Sequence, residues 1–345
     1  MKMKLTYNIA FFLCLIILFI ITQYFSSCKK EDTLSIKLEK KFSLEGDSKT
    51  YFYEPGGVAV DKNGNIYVSD SGNQRIVRFN SKGEFIKSFG RKGQGPGEFL
   101  SPWQIAIYDN DIYVYDWGRN IQKFNLDGQY FSGFTLRGGT FLDLDIDSKG
   151  NIYVGRWTSI KESYLIEKFD SNGTLIKRFC EPVEAPSRPL SLILNNTKLC
   201  IDNQDNIYVA FRYINKIQKY NAEGELIKEF KRKLTYTPIE PEHTPNDESP
   251  FKLDGVTGDI FCDGKGRLYI TSNKIYDENG HLIDVLNTQG EYLGSFYSGF
   301  LGEGLSSSAE LSRDQSIYLD NNNFYLIDYG SMNVHVFKLL FNGNK

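Results

Sequence analysis

The sequence predicts an all-β fold: a six-bladed β-propeller of four-stranded antiparallel blades, closed by an N-terminal strand that completes the last blade. Three observations predict it. One short phrase recurs six times along the chain. Five of the six copies run on into a Gly turn and a further strand. The composition suits strands and tight turns, with 22 Tyr, 25 Phe and 31 Gly against 10 Pro, and no long 3.6-residue apolar stripe follows residue 35.

In chain order, the first segment lies outside that fold. Lys2 and Lys4 precede a run from Ile9 to Ile21 that holds no polar residue. The run is short for a bilayer span and has the length of a signal-peptide core. Gln23-Tyr24-Phe25-Ser26-Ser27-Cys28 follows and resembles a bacterial lipobox, with Phe25 where an aliphatic residue is usual. The resemblance implies that Cys28 is lipidated and becomes the new N-terminus. A plain cleaved signal peptide or an uncleaved anchor is the competing reading. Lys29-Lys30-Glu31-Asp32 is similar to the surface-export signal of Bacteroidetes lipoproteins. The expected division is a signal peptide at 1–27, a tether at 28–35 and a propeller at 36–341. The implied location is the outer membrane, as a lipoprotein; which side it faces stays open, with surface exposure as one of the two readings.

Next comes Ser35-Ile36-Lys37-Leu38-Glu39-Lys40-Lys41-Phe42-Ser43-Leu44, a strand with no partner nearby. The repeats follow. They read VAVDKNGNIYVSD from Val58, IAIYDNDIYVYD from Ile105, LDIDSKGNIYVGR from Leu144, LCIDNQDNIYVAF from Leu199, IFCDGKGRLYITS from Ile260 and IYLDNNNFYLID from Ile317. Gly turns follow five of them, as in NSKGEFIKSF and DSNGTLIKRF. Each unit therefore holds four short strands joined by hairpins, with Gly pairs supplying positive backbone angles. A lone sheet of this kind has two apolar faces. It buries both only between two neighbours, so the units must ring an axis. The sixth copy lacks a Gly turn and a fourth strand. Residues 36–44 can supply that strand and remove the open edge.

GGVAVDKNGNIYVSDSGNQRIVRF and then Gly90 to Ile107, GRKGQGPGEFLSPWQIAI, resemble an NHL repeat. The similarity runs over residues 45–341 and is strongest in copies one and two. It implies a six-bladed propeller of the Bacteroidetes lipoprotein type. Its Asp after the Ile-Tyr-Val strand is kept as Asp70, Asp116 and Asp328, where it is expected to bond turn backbone.

Antiparallel order puts the Asp and Gly turns on one face, and the inter-blade connections on the other. Long connections at 180–197 and 231–256 mark the second face as the expected binding side. It should carry Trp117, Arg119, Arg156, Trp157, Arg212, Tyr213 and Tyr329, with Trp103 packed between blades. Flat aromatic surfaces beside forked donors suit glycans or an envelope protein partner. Inner-strand starts at Gln104, Asp143, Lys198, Asp259 and Ser316 should ring the channel mouth. Asp143 and Asp145 share strand parity, and with Asp259 they form the weaker alternative, a Ca²⁺ site of a lactonase-like hydrolase. A bridging Lys or Arg, or a buried water, is the simpler expectation for them.

Other chemistry finds no residues. His243, His281 and His335 lie apart without metal-ligand spacing, unlike the His-based zinc site that the resemblance to NHL-like lyases would imply. No Gly-x-Ser-x-Gly elbow or phosphate loop is present. Formal net charge is −3, and the loss of Lys2 and Lys4 makes it more acidic, so nucleic acid is not an expected partner. Cys180, Cys200 and Cys262 are odd in number and are expected as buried free thiols. The expected function is a non-enzymatic envelope binding protein that requires no cofactor.

Overall fold

A computed structural model of the chain describes residues 34–46, 51–118, 120–158, 163–244, 251–277, 280–298, 317–320, 323–328 and 332–342, with backbone only at 274–277, 280–281 and 342. Cys28, Arg119, Ser316 and Tyr329 lie outside the described residues.

Six four-stranded antiparallel sheets follow one another along the chain. Blade 1 is built from Pro55–Val60, Ile66–Asp70, Arg75–Phe79 and Phe85–Phe89. Blade 2 uses Pro102–Tyr108, Asp111–Asp116, Asn120–Asn125 and Tyr130–Thr135. Blade 3 uses Thr140–Ile146, Ile152–Trp157, Ile166–Phe169 and Leu175–Phe179, and blade 4 uses Thr197–Ile201, Ile207–Phe211, Ile217–Tyr220 and Leu226–Phe230. Blade 5 has Ile260–Cys262, Arg267–Asp277, Gly280–Asn287 and Tyr292–Tyr297. In blade 6, Ile317–Asp320, Asn323–Asp328 and Asn333–Asn342 are joined by the N-terminal strand Ser35–Leu44. That closing strand runs from Ser35 opposite Asn342 to Leu44 opposite Val334.

The repeated phrase has one physical role in blades 1, 3, 4 and 5, while blades 2 and 6 make a tighter hairpin, with Tyr108 opposite Asp111 and Asp320 opposite Asn323. The turn Asp accepts N–H bonds from the residues two and four further on, as Asp61 does from Asn63 and Asn65, at 2.9 Å each. The same carboxylate accepts from the buried Tyr hydroxyl six residues on: Tyr67 to Asp61, Tyr153 to Asp147, Tyr208 to Asp202 and Tyr269 to Asp263, at 3.0–3.3 Å. The hydroxyl also reaches a turn carbonyl of the next blade, from Tyr67 to Leu126, Tyr153 to Ala222 and Tyr208 to Thr288. A basic residue of the third strand covers the ring in blades 1 to 4, with Lys123 4.8 Å from the Tyr113 centroid and Lys168 4.9 Å from that of Tyr153, and Arg267 of the second strand covers Tyr269 in blade 5. Burial, with the neighbouring Asp adding to it, holds these phenols well above the usual range.

The Gly turns form the second seam. Each packs on the ring that ends the outer strand of the preceding blade. A Cβ on Gly128, Gly173, Gly224 or Gly290 would come within 2.2–2.9 Å of Phe89, Phe134, Phe179 or Phe230. Gly83 of blade 1 meets Phe42 in the same way, at 2.6 Å. Phe42 belongs to the closing strand, so that strand reproduces the seam as well as the hydrogen bonding.

The core lies between blades, in six apolar clusters. The cysteine expectation is corrected here. Cys200 and Cys262 form a disulfide between the inner strands of blades 4 and 5, with Cα atoms 5.7 Å apart. Cys200 points toward blade 5 and Cys262 back toward blade 4, so neighbouring strands bring them together. Among the described residues Cys180 is the one free cysteine, and it is buried. Two connections also carry structure of their own. The helix α1 (Arg188–Leu194) lies in the blade 3–4 connection, capped by Ser187 with Pro189 in its first turn. A two-stranded ribbon, Glu242–His243 with Phe251–Lys252, lies in the blade 4–5 connection.

Candidate binding face

Strand order gives the ring a turn face and a connector face. The connector face is built on polar pegs. The second residue of the central four-residue core of the third strand reads Gln122, Glu167, Gln218, Asp284 and His335 in blades 2 to 6. Gln122 accepts from the Gly97 N–H at 2.8 Å and donates to the Glu98 carbonyl at 2.6 Å, clipping the blade 1–2 connection. Asp284 binds the buried Arg232 of the blade 4–5 connection at 2.7 Å. Burial raises the Asp284 carboxyl, and Arg232 opposes that shift. Gln218 takes a thiol contact from Cys180 in the blade 3–4 connection. Glu167 holds Arg156 at 3.1 Å and Arg178 at 2.7 Å.

The Asp residues after the Ile-Tyr-Val strand work alongside these pegs. Asp70 accepts from the Tyr53 N–H at 2.8 Å, and Asp116 from the N–H groups of Leu100 and Ser101. Blade 3 has Arg156 there instead. It donates to the Gly138 carbonyl at 2.9 Å, fixing its connection with reversed polarity.

This rigid backbone holds an aromatic shelf over blades 1 and 2. Tyr51 is 74% exposed, Tyr53 55%, Trp117 50% and Leu100 40%. Trp103 backs Trp117 edge-on at 6.3 Å. Tyr53 lies against Gly72 in blade 1 and Leu100 against Gly118 in blade 2, and Ser71 Oγ donates to the Pro102 carbonyl between the two loops. The sequence reading found Trp117 and missed Tyr51, Tyr53 and Leu100. The two tyrosines precede the first repeat, where no register assigns them a face.

The other expected residues are more committed. Trp157 is half-buried, and its indole N–H donates to the Leu192 carbonyl of α1 at 2.6 Å. Arg156 and Arg212 do not stand out as forked donors toward solvent. Arg156 serves Glu167 and Gly138, and Arg212 is buried 5.6 Å from the Tyr213 ring. Arg156 is turned onto the short connection that enters its own blade, and Val256 and Thr257 of the blade 4–5 connection bond the Arg212 carbonyl. Beside α1 lies a cavity of ≈ 700 Å³, lined by Tyr164, Glu181, Glu184, Ser187, Arg188 and Ser191 among others. His243 meets Ser187 Oγ at 2.9 Å and stacks on Phe251, while His335 meets Ser43 and Asp328.

At the channel, parity works as expected for Asp143 and Asp145. Both carboxylates reach toward blade 4 and accept from the N–H groups of Leu199 and Ile201, at 2.8 and 2.9 Å. Asp259 repeats the stitch to the Ile317 N–H of blade 6 at 3.1 Å. Lys198 Nζ lies 4.0 Å from Asp259, and its charge also opposes the rise of Asp143. Burial pushes Asp145 up to about 7, against two N–H bonds that favour the anion. Gln104 is buried in the same ring. These carboxylates bind inner strands to one another. Among the described residues no cluster of three or more His, Cys, Asp or Glu has the placement to hold a metal ion. Among them, too, no helix is long and apolar enough to cross a membrane.

Residues 25–165 match the model of the DUF5128 family, described as a 6-bladed β-propeller. Protein brain tumor of Drosophila melanogaster is 33% identical over 147 residues, which is 40% of this chain and 14% of that protein. The chain thus spans about a seventh of that relative's length. A protein of Bacteroides fragilis described as exported has a similar structure, with TM-score 0.61, 14% identity and coverage of 92% of this chain and 97% of that one. Virginiamycin B lyase of Staphylococcus aureus matches at TM-score 0.52 and 12% identity, over 89% of this chain and all of that one. At such identities the likeness shows the fold. The chain is an all-β six-bladed propeller with four-stranded antiparallel blades.

Proposed function

We propose that this protein is an exported, lipid-anchored binding module of the cell envelope, which engages a glycan or an envelope protein through its connector face. The observation that carries the reading is the exposed shelf of Tyr51, Tyr53, Leu100 and Trp117 on backbone fixed by Asp70 and Asp116. Rigid aromatic rings contribute contact area at low entropic cost, which is how binding surfaces concentrate energy. Export has separate support in the Cys200–Cys262 disulfide, which suits an oxidising compartment, and is in keeping with a fold shared with a Bacteroides protein described as exported. The anchor is read from Cys28 and the Lys-rich, then acidic, residues after it.

A screen of immobilised glycans and of co-purifying envelope proteins tests the reading, run with wild type and a Tyr51→Ala/Trp117→Ala variant. A binder that the variant loses by about tenfold or more supports it. Equal capture by both proteins overturns the placement of the site, and no capture in either screen overturns the function. The alternative, a Ca²⁺-dependent lactonase-like hydrolase at Asp143, Asp145 and Asp259, has less support, because each carboxylate already accepts backbone N–H bonds. A rise in melting temperature with added Ca²⁺, lost in Asp145→Asn, would restore it.

A further inference from the structure

The closing strand fixes more than the ring. It enters blade 6 at the turn face, with Ser35 opposite Asn342, and leaves at the connector face, with Leu44 opposite Val334. The residue before it is already pinned. Leu34 donates its N–H to the Leu293 carbonyl at 2.7 Å, just after the blade 5 Gly turn, and its own carbonyl lies 2.6 Å from where a Cβ on Gly294 would sit. The N-terminal segment therefore reaches the propeller at the turn-face rim of blades 5 and 6.

Two lengths then decide the geometry. Six residue steps separate Cys28 from Leu34, a reach of at most about 22 Å. The ten-residue closing strand is about 31 Å long at a strand's rise. A lipid on Cys28 cannot travel back along that strand to the opposite side.

We propose that the tether orients the propeller, holding the turn face on the bilayer side and the connector face, with its aromatic shelf, toward the aqueous phase. This rests on the reading of Cys28 as the anchored residue. It specifies the partner further: a soluble or surface-presented macromolecule that arrives from solution, as opposed to the bilayer-embedded part of a neighbour. It also gives the short tether a role that a longer one would lose.

The test places a fluorescent amino acid at Gln289, exposed on the blade 5 Gly turn, or at Ile239, exposed on the blade 4–5 connection. Energy transfer is read to a headgroup-labelled lipid in vesicles. Anchoring is provided in two arms: by native acylation of the full chain, and by coupling Cys28 of residues 28–345 to a maleimide lipid. The second arm leaves Cys180 buried and Cys200 and Cys262 paired. Failure of the native chain to float with vesicles defeats the lipoprotein reading alone, because the coupled arm still reports orientation. The expected result is transfer about twofold higher from 289 than from 239, given faces about 30 Å apart. Equal transfer, or higher transfer from 239, overturns the proposal. Inserting a flexible ten-residue linker after Lys30 should erase the difference; if the difference persists, something other than tether length sets the orientation.

Discussion

The two faces of this propeller follow different rules. On the turn face and along the blade seams, one set of contacts recurs: turn Asp to Tyr hydroxyl, Lys or Arg over the Tyr ring, and turn Gly on the neighbour's Phe. On the connector face the devices vary, with Asp70 and Asp116 accepting, Arg156 donating and Asp284 pairing with Arg232. The lesson is that one side repeats because every blade must solve the same packing problem. The other side varies because a connection need only be held at one or two points. That freedom places an exposed aromatic shelf beside a stable ring.

The largest expected effect comes from removing a seam outright. Deleting residues 35–44 takes the outer strand from blade 6 and Phe42 from Gly83, and leaves a sheet edge open. We expect no cooperative thermal transition and aggregation on purification. A truncated protein with the wild-type melting temperature would break the comparison at its root.

Next in size is the disulfide, which does between blades 4 and 5 what carboxylates do between blades 3 and 4. Cys200→Ser/Cys262→Ser should lower stability by about 2–4 kcal/mol in a denaturant titration. An unchanged midpoint would show that the seam there rests on Lys198 and Asp259 instead.

Smaller again is a pair of glycines on the turn face. Gly173→Ala puts a methyl group 2.2 Å from the Phe134 ring at φ +84°, whereas Gly264 has nothing within 4 Å. The first should cost about 1–3 kcal/mol and the second under about 0.5. Equal costs would remove the seam role given to the Gly turns.

The channel carboxylates predict a pH effect. Burial raises Asp143 and takes Asp145 up to about 7, above the value each has in the unfolded chain. The folded state then binds protons more tightly than the unfolded one. These groups therefore make stability fall as pH rises from near 4 through 7. Melting temperatures at pH 5 and 7.5 should show this, with a smaller fall in Asp145→Asn. The opposite slope in that difference would reverse the assignment.

The smallest effect on stability belongs to the connector face. Trp117→Ala should move the unfolding free energy by no more than about 0.5 kcal/mol, since the ring is half exposed. A large loss would make Trp117 a packing residue and weaken the binding proposal.

Much of the ring was legible before any coordinates. The turns at Asp61, Gly83 and their counterparts close within a few residues of themselves, so their spacing is written locally. The closing strand was legible by subtraction, as a strand without a partner beside a sheet lacking one. The site was less so. Trp117 was found because it follows a repeat, and Tyr51 and Tyr53 were missed because they precede all of them. Arg156 and Arg212 were read as free donors, whereas inter-blade connections meet them.

By itself the sequence determined the blade number, the strand order, the splice at blade 6 and the acidic net charge. Each follows from turns and periodicities that need no distant partner. Only the tertiary structure decided that Cys200 meets Cys262, that Asp145 reaches Ile201, and that Tyr51 and Trp117 both stand exposed while Trp103 backs Trp117. Those pairings depend on which way neighbouring inner strands face and how connections fold over them. Contacts between chain-distant residues are set by the closed ring as a whole, and no local pattern encodes them.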